Sequence, residues 1–397
     1  MPIHQALGCR EYRLIELEPD ELEDFLLKED IGGLNVTIPY KRDVMSFCAE
    51  LADSARHVGS VNTIVPTHDG LCGHNTDLYG LQYALRRAGI SLSGRKVLIL
   101  GSGGASLAAR AAADCEGAES IVVISRSGPD NYNTLSHHLD TDIVINATPV
   151  GMYPHIGDLL VDPGFFPKCS GVVDMIYNPL RTAFLMRAEA LGIPCTDGLP
   201  MLVAQAASAE DLFTGQKNMC DRIEPILEKL RQKMENIVLI GMPGCGKTTI
   251  GKKLAELTGR PLIDIDSEII KAAGHSIEDI FEREGETEFR RLEQEQTALA
   301  GRQIGHIIVT GGGVVKTSEN YTSLHQNGRI YHLERNTALL EREGRPLSLS
   351  GNLEAMYQER RPLYEHFRDV AIQNNRTPSE TADMIWRDFL EHKDTGH

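Results

Sequence analysis

The sequence predicts an α/β protein made of two successive units with parallel sheets, on three observations. Short β-branched runs alternate with amphipathic helical stretches along the whole chain, and strands separated by helices pair in parallel through right-handed crossovers. Two glycine-rich turns, KVLILGSGGAS at 96–106 and GMPGCGKT at 241–248, each follow a strand and open a helix. Between them the amphipathic stretch Cys220 to Met234 runs directly into a new strand, NIVLIG, where the alternation restarts. A boundary therefore falls near residue 235, dividing 1–234 from 235–397 with almost no linker.

Composition sets the broad class. At ~150 residues per domain, 397 residues make two or three domains, each able to bury a core. A chain 41% hydrophobic and 24% charged, with ordinary glycine and proline, is neither disordered nor fibrous. The net charge of −16 is shared, −10 before residue 235 and −6 after it, so neither unit attracts a nucleic-acid backbone. A basic pocket for a small anion needs only two or three arginines and stays open.

The eight cysteines lie at least 24 positions apart, which excludes zinc-knuckle spacing and points to a reduced, cytoplasmic setting. The N-terminus lacks the pattern of a secretory leader, and no run of ~18 apolar residues occurs. Neither export nor a membrane span is expected.

In chain order, strands are expected at YRLIEL (12–17), LNVTIP, VNTIV, KVLIL, IVVIS, DIVINA and GVVDM, and in the second unit at NIVLIG, PLIDID, HIIVT and RIYHLE. A last helix is expected over Ser379 to Leu390, followed by a polar tail.

GMPGCGKT fits the phosphate-binding G-x-x-x-x-G-K-[ST] pattern in its required strand–loop–helix context. Its glycines let backbone N–H groups converge on phosphate oxygens, Lys247 adds a point charge, and the Thr248 hydroxyl suits Mg²⁺. PLIDIDSEI places Asp264 and Asp266 two apart, so on a strand both carboxylates would point the same way. EFRRLE supplies Arg290 and Arg291, TGGG supplies Gly311 to Gly313, GRPL supplies Arg345, and ERRPLY supplies Arg360 and Arg361.

With those five spaced motifs, residues 236 to about 390 resemble shikimate kinase. The resemblance implies a P-loop kinase domain with ATP on Gly244, Cys245, Gly246, Lys247, Thr248 and Thr249, and Mg²⁺ on Thr248 and, through water, Asp264. It implies shikimate between Asp266, Arg290, Gly312 and Arg360, with Arg345 on a lid over the transferring phosphoryl. NNRTP at 374–378 resembles the adenine-contacting loop, which puts Arg376 and Pro378 beside the base. Two guanidinium forks suit the carboxylate of a small acid, in keeping with that reading. Arg291 and Arg361 are expected to form surface ion pairs.

In the first unit, the turn at 96–106 carries Gly101, Ser102, Gly103, Gly104 and Ala105, with Ser106 where a third glycine is usual. After the next strand stand Ser125 and Arg126 instead of the carboxylate that selects NAD, and a guanidinium there favours NADP. Around the turn lie NVTIPYK with Thr37 and Lys41, SVNTIV with Asn62, GHNTD with Asp77, DMIYNPL with Met175 and Tyr177, and DGLPMLVAQAA with Gly198 and Gln205.

This ordered set makes residues 1 to about 234 resemble shikimate dehydrogenase, with a parallel-sheet substrate domain (1–85 and 205–234) and a Rossmann NADP domain (86–204). The resemblance implies that Lys41 and Asp77 form the proton-transfer pair and that Thr37, Asn62, Tyr177 and Gln205 line the substrate. It places NADP(H) on residues 101–105, Ser125 to Asp130, Met175 and Gly198. The family opens with a strand and a Ser-x-Ser turn that grips the substrate carboxylate, and this sequence begins just after that segment, so a competent kinase and a poor dehydrogenase are expected of it.

Together the two resemblances imply a bifunctional enzyme that reduces 3-dehydroshikimate with NADPH and phosphorylates the resulting shikimate with ATP and Mg²⁺. Its partners are small molecules, with neither nucleic acid nor membrane. The alternative is an active kinase fused to a catalytically impaired NADP-binding module, and a third reading gives the dehydrogenase quinate or NAD.

Overall fold

A computed structural model describes residues 2–9, 11–28, 31–216, 219–336 and 353–392. Three sheets order the chain.

The first half opens with helices α1 (Pro2–Leu7) and α2 (Leu22–Lys28), followed by strands β1 (Leu34–Asn35) and β2 (Glu50–Leu51), helix α3 (Asp53–Val58), strands β3 (Thr63–Thr67) and β4 (Gly70–His74), and helix α4 (Thr76–Arg87). The strands form one sheet in the order β1-β3-β4-β2. It is mixed, not the parallel sheet expected: β1 pairs antiparallel with β3, β3 antiparallel with β4, and only β2 with β4 is parallel. Only His68 and Asp69 separate β3 from β4, and so short a connection reverses the chain, whereas a parallel pair needs a crossover of a dozen or more residues. YRLIEL forms no strand. Leu14 and Ile15 are 76% and 52% exposed, and the segment has no ladder partner among the described residues.

The second sheet is all parallel, in the order β6-β5-β7-β8-β9. It contains β5 (Lys96–Leu100), helix α5 (Gly104–Cys115), β6 (Ser120–Ile124), β7 (Ile143–Asn146), β8 (Gly171–Asp174), helix α6 (Ala183–Ala190) and β9 (Cys195–Thr196). Val97 to Leu100 are buried without interruption, as a strand covered by helices on both faces requires. Because β5 sits between β6 and β7, the winding reverses there, and the crevice outside the carboxyl ends of these strands is where such sheets take ligands.

Helix α7 (Leu199–Thr214) then returns to the first sheet. It starts ahead of the expected division at 205 because Pro200 favours a first turn, and it packs on α4 so closely that a Cβ on Gly80 would lie 2.6 Å from the Met201 carbonyl. Helix α8 (Ile223–Met234) closes this half with Ile223 and Leu227 in a core shared with Leu7, Leu199 and Val203.

Glu235 alone separates α8 from β10 (Asn236–Ile240). The second half continues with helix α9 (Lys247–Thr258), β11 (Leu262–Asp264), helices α10 (Ile265–Ala273), α11 (Ile277–Arg283) and α12 (Gly285–Gly301), β12 (Ile307–Val309), helix α13 (Glu319–His325), β13 (Gly328–Glu334), helix α14 (Leu353–Phe367), β14 (Val370–Gln373) and helix α15 (Pro378–Glu391). The strands make a parallel sheet in the order β11-β12-β10-β13-β14. The halves also meet away from the junction: the Leu180 amide donates to Asn327 Oδ1 at 2.9 Å and the Arg181 amide to the Gln326 carbonyl at 2.8 Å. Among the described residues no helix is long and apolar enough to cross a membrane.

Candidate active sites

In the second half, the fully buried run Ile237 to Ile240 ends at a loop whose glycines carry positive φ, 145° at Gly241, 82° at Gly244 and 98° at Gly246. An L side chain rarely adopts that backbone, and the loop delivers the chain to α9 at Lys247. The first-turn N–H groups of α9 lack helical partners there, which suits phosphate. Lys247 is buried and donates to the Gly241 and Met242 carbonyls at 2.8 and 3.0 Å. Cys245 is buried, while Thr248 and Thr249 are exposed. The Thr248 hydroxyl donates to Asp264 Oδ2 at 3.1 Å.

The expected strand register of Asp264 and Asp266 is not found. Strand β11 ends at Asp264, which caps α10 by accepting from the Ser267 amide, and Asp266 lies in the first helical turn. An Asx cap competes with strand continuation, and that ends β11. Asp266 still lines a cavity of about 370 Å³ with Lys247, Arg290, Gly312 and Arg360. Arg360 is buried and donates to the Gly312 carbonyl at 2.9 Å. The TGGG glycines are required by close approach: a Cβ at Gly311, Gly312 or Gly313 would lie 2.8, 2.5 or 2.4 Å from Asp266, Pro243 or Arg290 respectively.

Two residues of this site escaped the sequence reading. Glu293, fully buried, pairs with Arg290 at 2.5 Å, and burial raises its pKa against the pull of that guanidinium. Its sequence signal was the i,i+3 spacing from Arg290 on α12. Asn374, also buried, donates to the Cys245 carbonyl at 2.5 Å and accepts from Thr381 Oγ1 at 3.0 Å, bracing the phosphate loop from the far edge of the sheet. NNRTP contained it, but Arg376 in the same loop is exposed. Arg291 pairs with Glu288 and Glu295, and Arg361 with Glu365, on the surface as expected. Arg345 lies outside the described residues.

In the first half, Asn75 caps α4 by accepting from the amides of Asp77 and Leu78, which sets the Asp77 carboxylate at a helix start. The Lys41 ammonium lies 2.6 Å from Asp77 Oδ2. Asn62 is buried, donating to Thr76 Oγ1 at 3.1 Å and accepting from the Thr76 amide at 2.8 Å. Gln205 on α7 accepts from the Thr76 hydroxyl at 3.4 Å. Thr37 and Tyr177 are exposed, and no hydrogen bond ties either side chain to this group among the described residues. Unread in the sequence was a buried support behind Asn62: His4 Nδ1 lies 2.6 Å from Glu210, and the Asn35 amide donates to His4 Nε2 at 3.0 Å. Its members are 31 and 206 positions apart, beyond any local pattern.

The glycine turn after β5 fits a dinucleotide. Gly101 has φ 103°, and a Cβ there would come 2.8 Å from Thr148. Gly103 caps α5, which begins at Gly104 and continues through Ala105, while Ser102 sits exposed in the turn and Ser106 is buried in the helix. The Gly101 amide donates to the Ile124 carbonyl at 2.8 Å, so the turn adjoins the loop that carries Ser125 and Arg126. Arg126 is exposed and makes no ion pair among the described residues. A Cβ at Gly198 would lie 2.3 Å from the Met175 carbonyl, which brings those two backbones together at the same sheet edge. Among the described residues no cluster of three or more His, Cys, Asp or Glu could hold a metal. The Thr248–Asp264 pair suits a hydrated Mg²⁺, which takes one or two protein ligands beside phosphates.

The family model for shikimate kinase matches residues 243–390, and that for the shikimate dehydrogenase substrate binding domain matches residues 4–64. A shikimate dehydrogenase (NADP(+)) of Clostridium perfringens is 36% identical over 214 residues, 51% of this chain and 79% of that one. The crystal structure of a chorismate mutase/shikimate 5-dehydrogenase fusion protein from Clostridium acetobutylicum aligns at 36% identity with a TM-score of 0.54, covering 58% of this chain and 90% of that chain. Shikimate kinase from Acinetobacter baumannii, in complex with shikimate, aligns at 32% identity over 42% of this chain and 99% of that one, with a TM-score of 0.39. The chain thus belongs to the shikimate dehydrogenase family and carries a shikimate kinase domain in its second half.

Proposed function

We propose that the chain catalyses two consecutive reactions, the NADPH-dependent reduction of 3-dehydroshikimate to shikimate and the ATP- and Mg²⁺-dependent phosphorylation of shikimate. Residues 1–234 carry the first, with 1–85 and 205–234 for substrate and 86–204 for NADP, and residues 235–397 carry the second. The observation that supports this most is the 2.6 Å Lys41–Asp77 pair in one half, on the same chain as a cavity shared by Asp266, Arg290 and Arg360 in the other. One metabolite is the product of the first chemistry and the acceptor of the second.

In the reductase, NADPH supplies the hydride. Lys41 gives a proton to the developing alkoxide, and Asp77 holds the ammonium in line. Asn62 and Gln205, both bonded to Thr76, present amide groups to substrate hydroxyls, with Thr37 and Tyr177 on the wall. Arg126 meets the 2′-phosphate, and residues 101–105, Ser125, Met175 and Gly198 form the dinucleotide cradle.

In the kinase, ATP supplies the phosphoryl group. Lys247 turns from loop carbonyls toward phosphate oxygens, while residues 244–249 offer backbone N–H groups and Thr248 and Asp264 hold hydrated Mg²⁺. Asp266 accepts from the attacking hydroxyl, and Arg290 and Arg360 clamp the carboxylate beside the Gly312 backbone. Arg345 and Arg376 retain their lid and adenine roles in this reading. Assaying each half-reaction on the purified chain tests it: both activities should be present, and absence of either removes that half.

A further inference from the structure

The loop from Met175 to Arg181 is pinned at both ends. At its start the buried Asp174 carboxylate accepts from the Ile176 amide at 3.1 Å and from the Thr182 hydroxyl at 2.6 Å. Midway, the Gly198 amide donates to the Ile176 carbonyl at 2.9 Å and the Tyr153 amide to the Asn178 carbonyl at 3.1 Å. At its far end the hydrogen bonds reach the kinase domain: Leu180 N–H donates to Asn327 Oδ1, Arg181 N–H to the Gln326 carbonyl, and Arg181 Nη1 to the His325 carbonyl at 3.2 Å, while the guanidinium also pairs with Glu189 of the first half at 3.7 Å and Glu235 at 3.8 Å.

These partners are built into the kinase. Asn327 is 1% exposed. Its carbonyl accepts from the Asn236 amide at 2.7 Å at the start of β10, and its side-chain amide donates to the Gly301 carbonyl at 3.3 Å at the end of α12. Leu180 is buried too, so its N–H needs a protein acceptor, and an orphaned buried donor carries the full desolvation cost. Tyr177 is 43% exposed and stands between the Ile176 and Asn178 carbonyl contacts, three residues before the Leu180 anchor.

We propose that Asn327 is a positioning residue for the dehydrogenase, supplied by the kinase domain: it holds the Leu180–Arg181 end of the loop and thereby sets where Tyr177 stands at the substrate wall. The kinase would thus be a structural part of the reductase site. This rests on the reading of Tyr177 as a substrate-lining residue.

The test uses the full chain. In Asn327→Ala, backbone amide exchange at 180–181 should rise, and the KM for 3-dehydroshikimate should rise roughly three- to tenfold, the range expected for one lost hydrogen bond, with the kinase KM for shikimate unchanged. Asn327→Asp, which keeps the acceptor oxygen for Leu180 but loses the donor to the Gly301 carbonyl, should give exchange at 180–181 and a KM for 3-dehydroshikimate closer to wild type than Asn327→Ala. Arg181→Met, which removes the guanidinium that reaches His325, should move both in the same direction as Asn327→Ala and serves if that variant does not fold. Exchange at 180–181 unchanged in Asn327→Ala, or faster exchange with an unchanged KM, would overturn the proposal. A wild-type chain with no reductase activity would instead overturn the function assigned to Tyr177, while the exchange measurement still reads the anchor.

Discussion

Lys41 and Asp77 stand 36 positions apart in sequence, yet the ammonium and carboxylate meet at 2.6 Å. The pair joins two elements that the sheet brings together: the turn that follows β1, and the capped start of α4, which follows β4. Both groups are largely but not fully buried, with side chains 25% and 18% exposed, so substrate can reach a charge that water does not fully screen. Replacing Lys41 by Met should lower the reductase kcat by ~10²- to 10⁴-fold, the usual worth of a positioned acid, and leave shikimate phosphorylation intact. Steady-state rates of both half-reactions on the same preparation check this, and an unimpaired reductase would remove Lys41 from the chemistry.

Asp266→Asn should abolish shikimate phosphorylation while ATP affinity stays nearly intact, because the proposed reading gives this carboxylate, which lines the cavity with Arg290 and Arg360, to the acceptor hydroxyl and not to the nucleotide. Lys247→Ala should weaken the nucleotide instead. ATP titration beside turnover separates the two, and wild-type turnover in Asp266→Asn would show that the acceptor role lies elsewhere.

Arg126→Ala should weaken NADP by ~1 to 3 kcal/mol and leave NAD little changed, since only NADP carries the phosphate that the guanidinium pairs with. Binding titrations of both dinucleotides at matched salt measure the difference. Equal losses would mean that Arg126 does not read the 2′-phosphate.

Asp174 links charge to stability. Burial pushes its carboxyl up to about 7, although Thr182, Ile176 and Asn146 donate to it and pull the other way. As pH rises from the ordinary carboxylate range towards 7, the unfolded chain gives up this proton while the folded chain keeps it. The stabilisation from the neutral buried acid is therefore fully present at low pH and lost through that window, by up to roughly 4 kcal/mol. Asp174→Asn should flatten this fall in a series of thermal melts between pH 4 and 8, and the same fall in both proteins would exclude Asp174 as its source.

Local chemistry made much of the molecule legible in the sequence. The glycine turns, Lys247, Lys41 and Asp77 belong to short motifs, and the structure opens helices after both turns, buries Lys247 in its loop and brings Lys41 to Asp77. Strand direction in the first sheet was less legible, since alternation with helices implies parallel pairing and the two-residue β3–β4 connection reverses it. Asp266 moved from strand to helix because capping by Asp264 outweighed a period-two reading. Glu293, Asn374, His4 and Glu210 act through burial and partners distant in sequence, which no local spacing encodes. The Leu180–Asn327 contact likewise exists only once both halves are folded, so the kinase is less separate than the clean boundary at residue 235 implies.

The most direct measurement supplies the purified chain with 3-dehydroshikimate, NADPH, ATP and Mg²⁺ and follows NADPH oxidation together with ADP formation. Two linked sites predict that both proceed, that ADP appears only after NADPH begins to be consumed, and that Lys41→Met stops ADP formation from 3-dehydroshikimate but not from added shikimate. ADP formation from shikimate with no NADPH oxidation from 3-dehydroshikimate would contradict a bifunctional enzyme and leave a kinase joined to an inactive NADP-binding module.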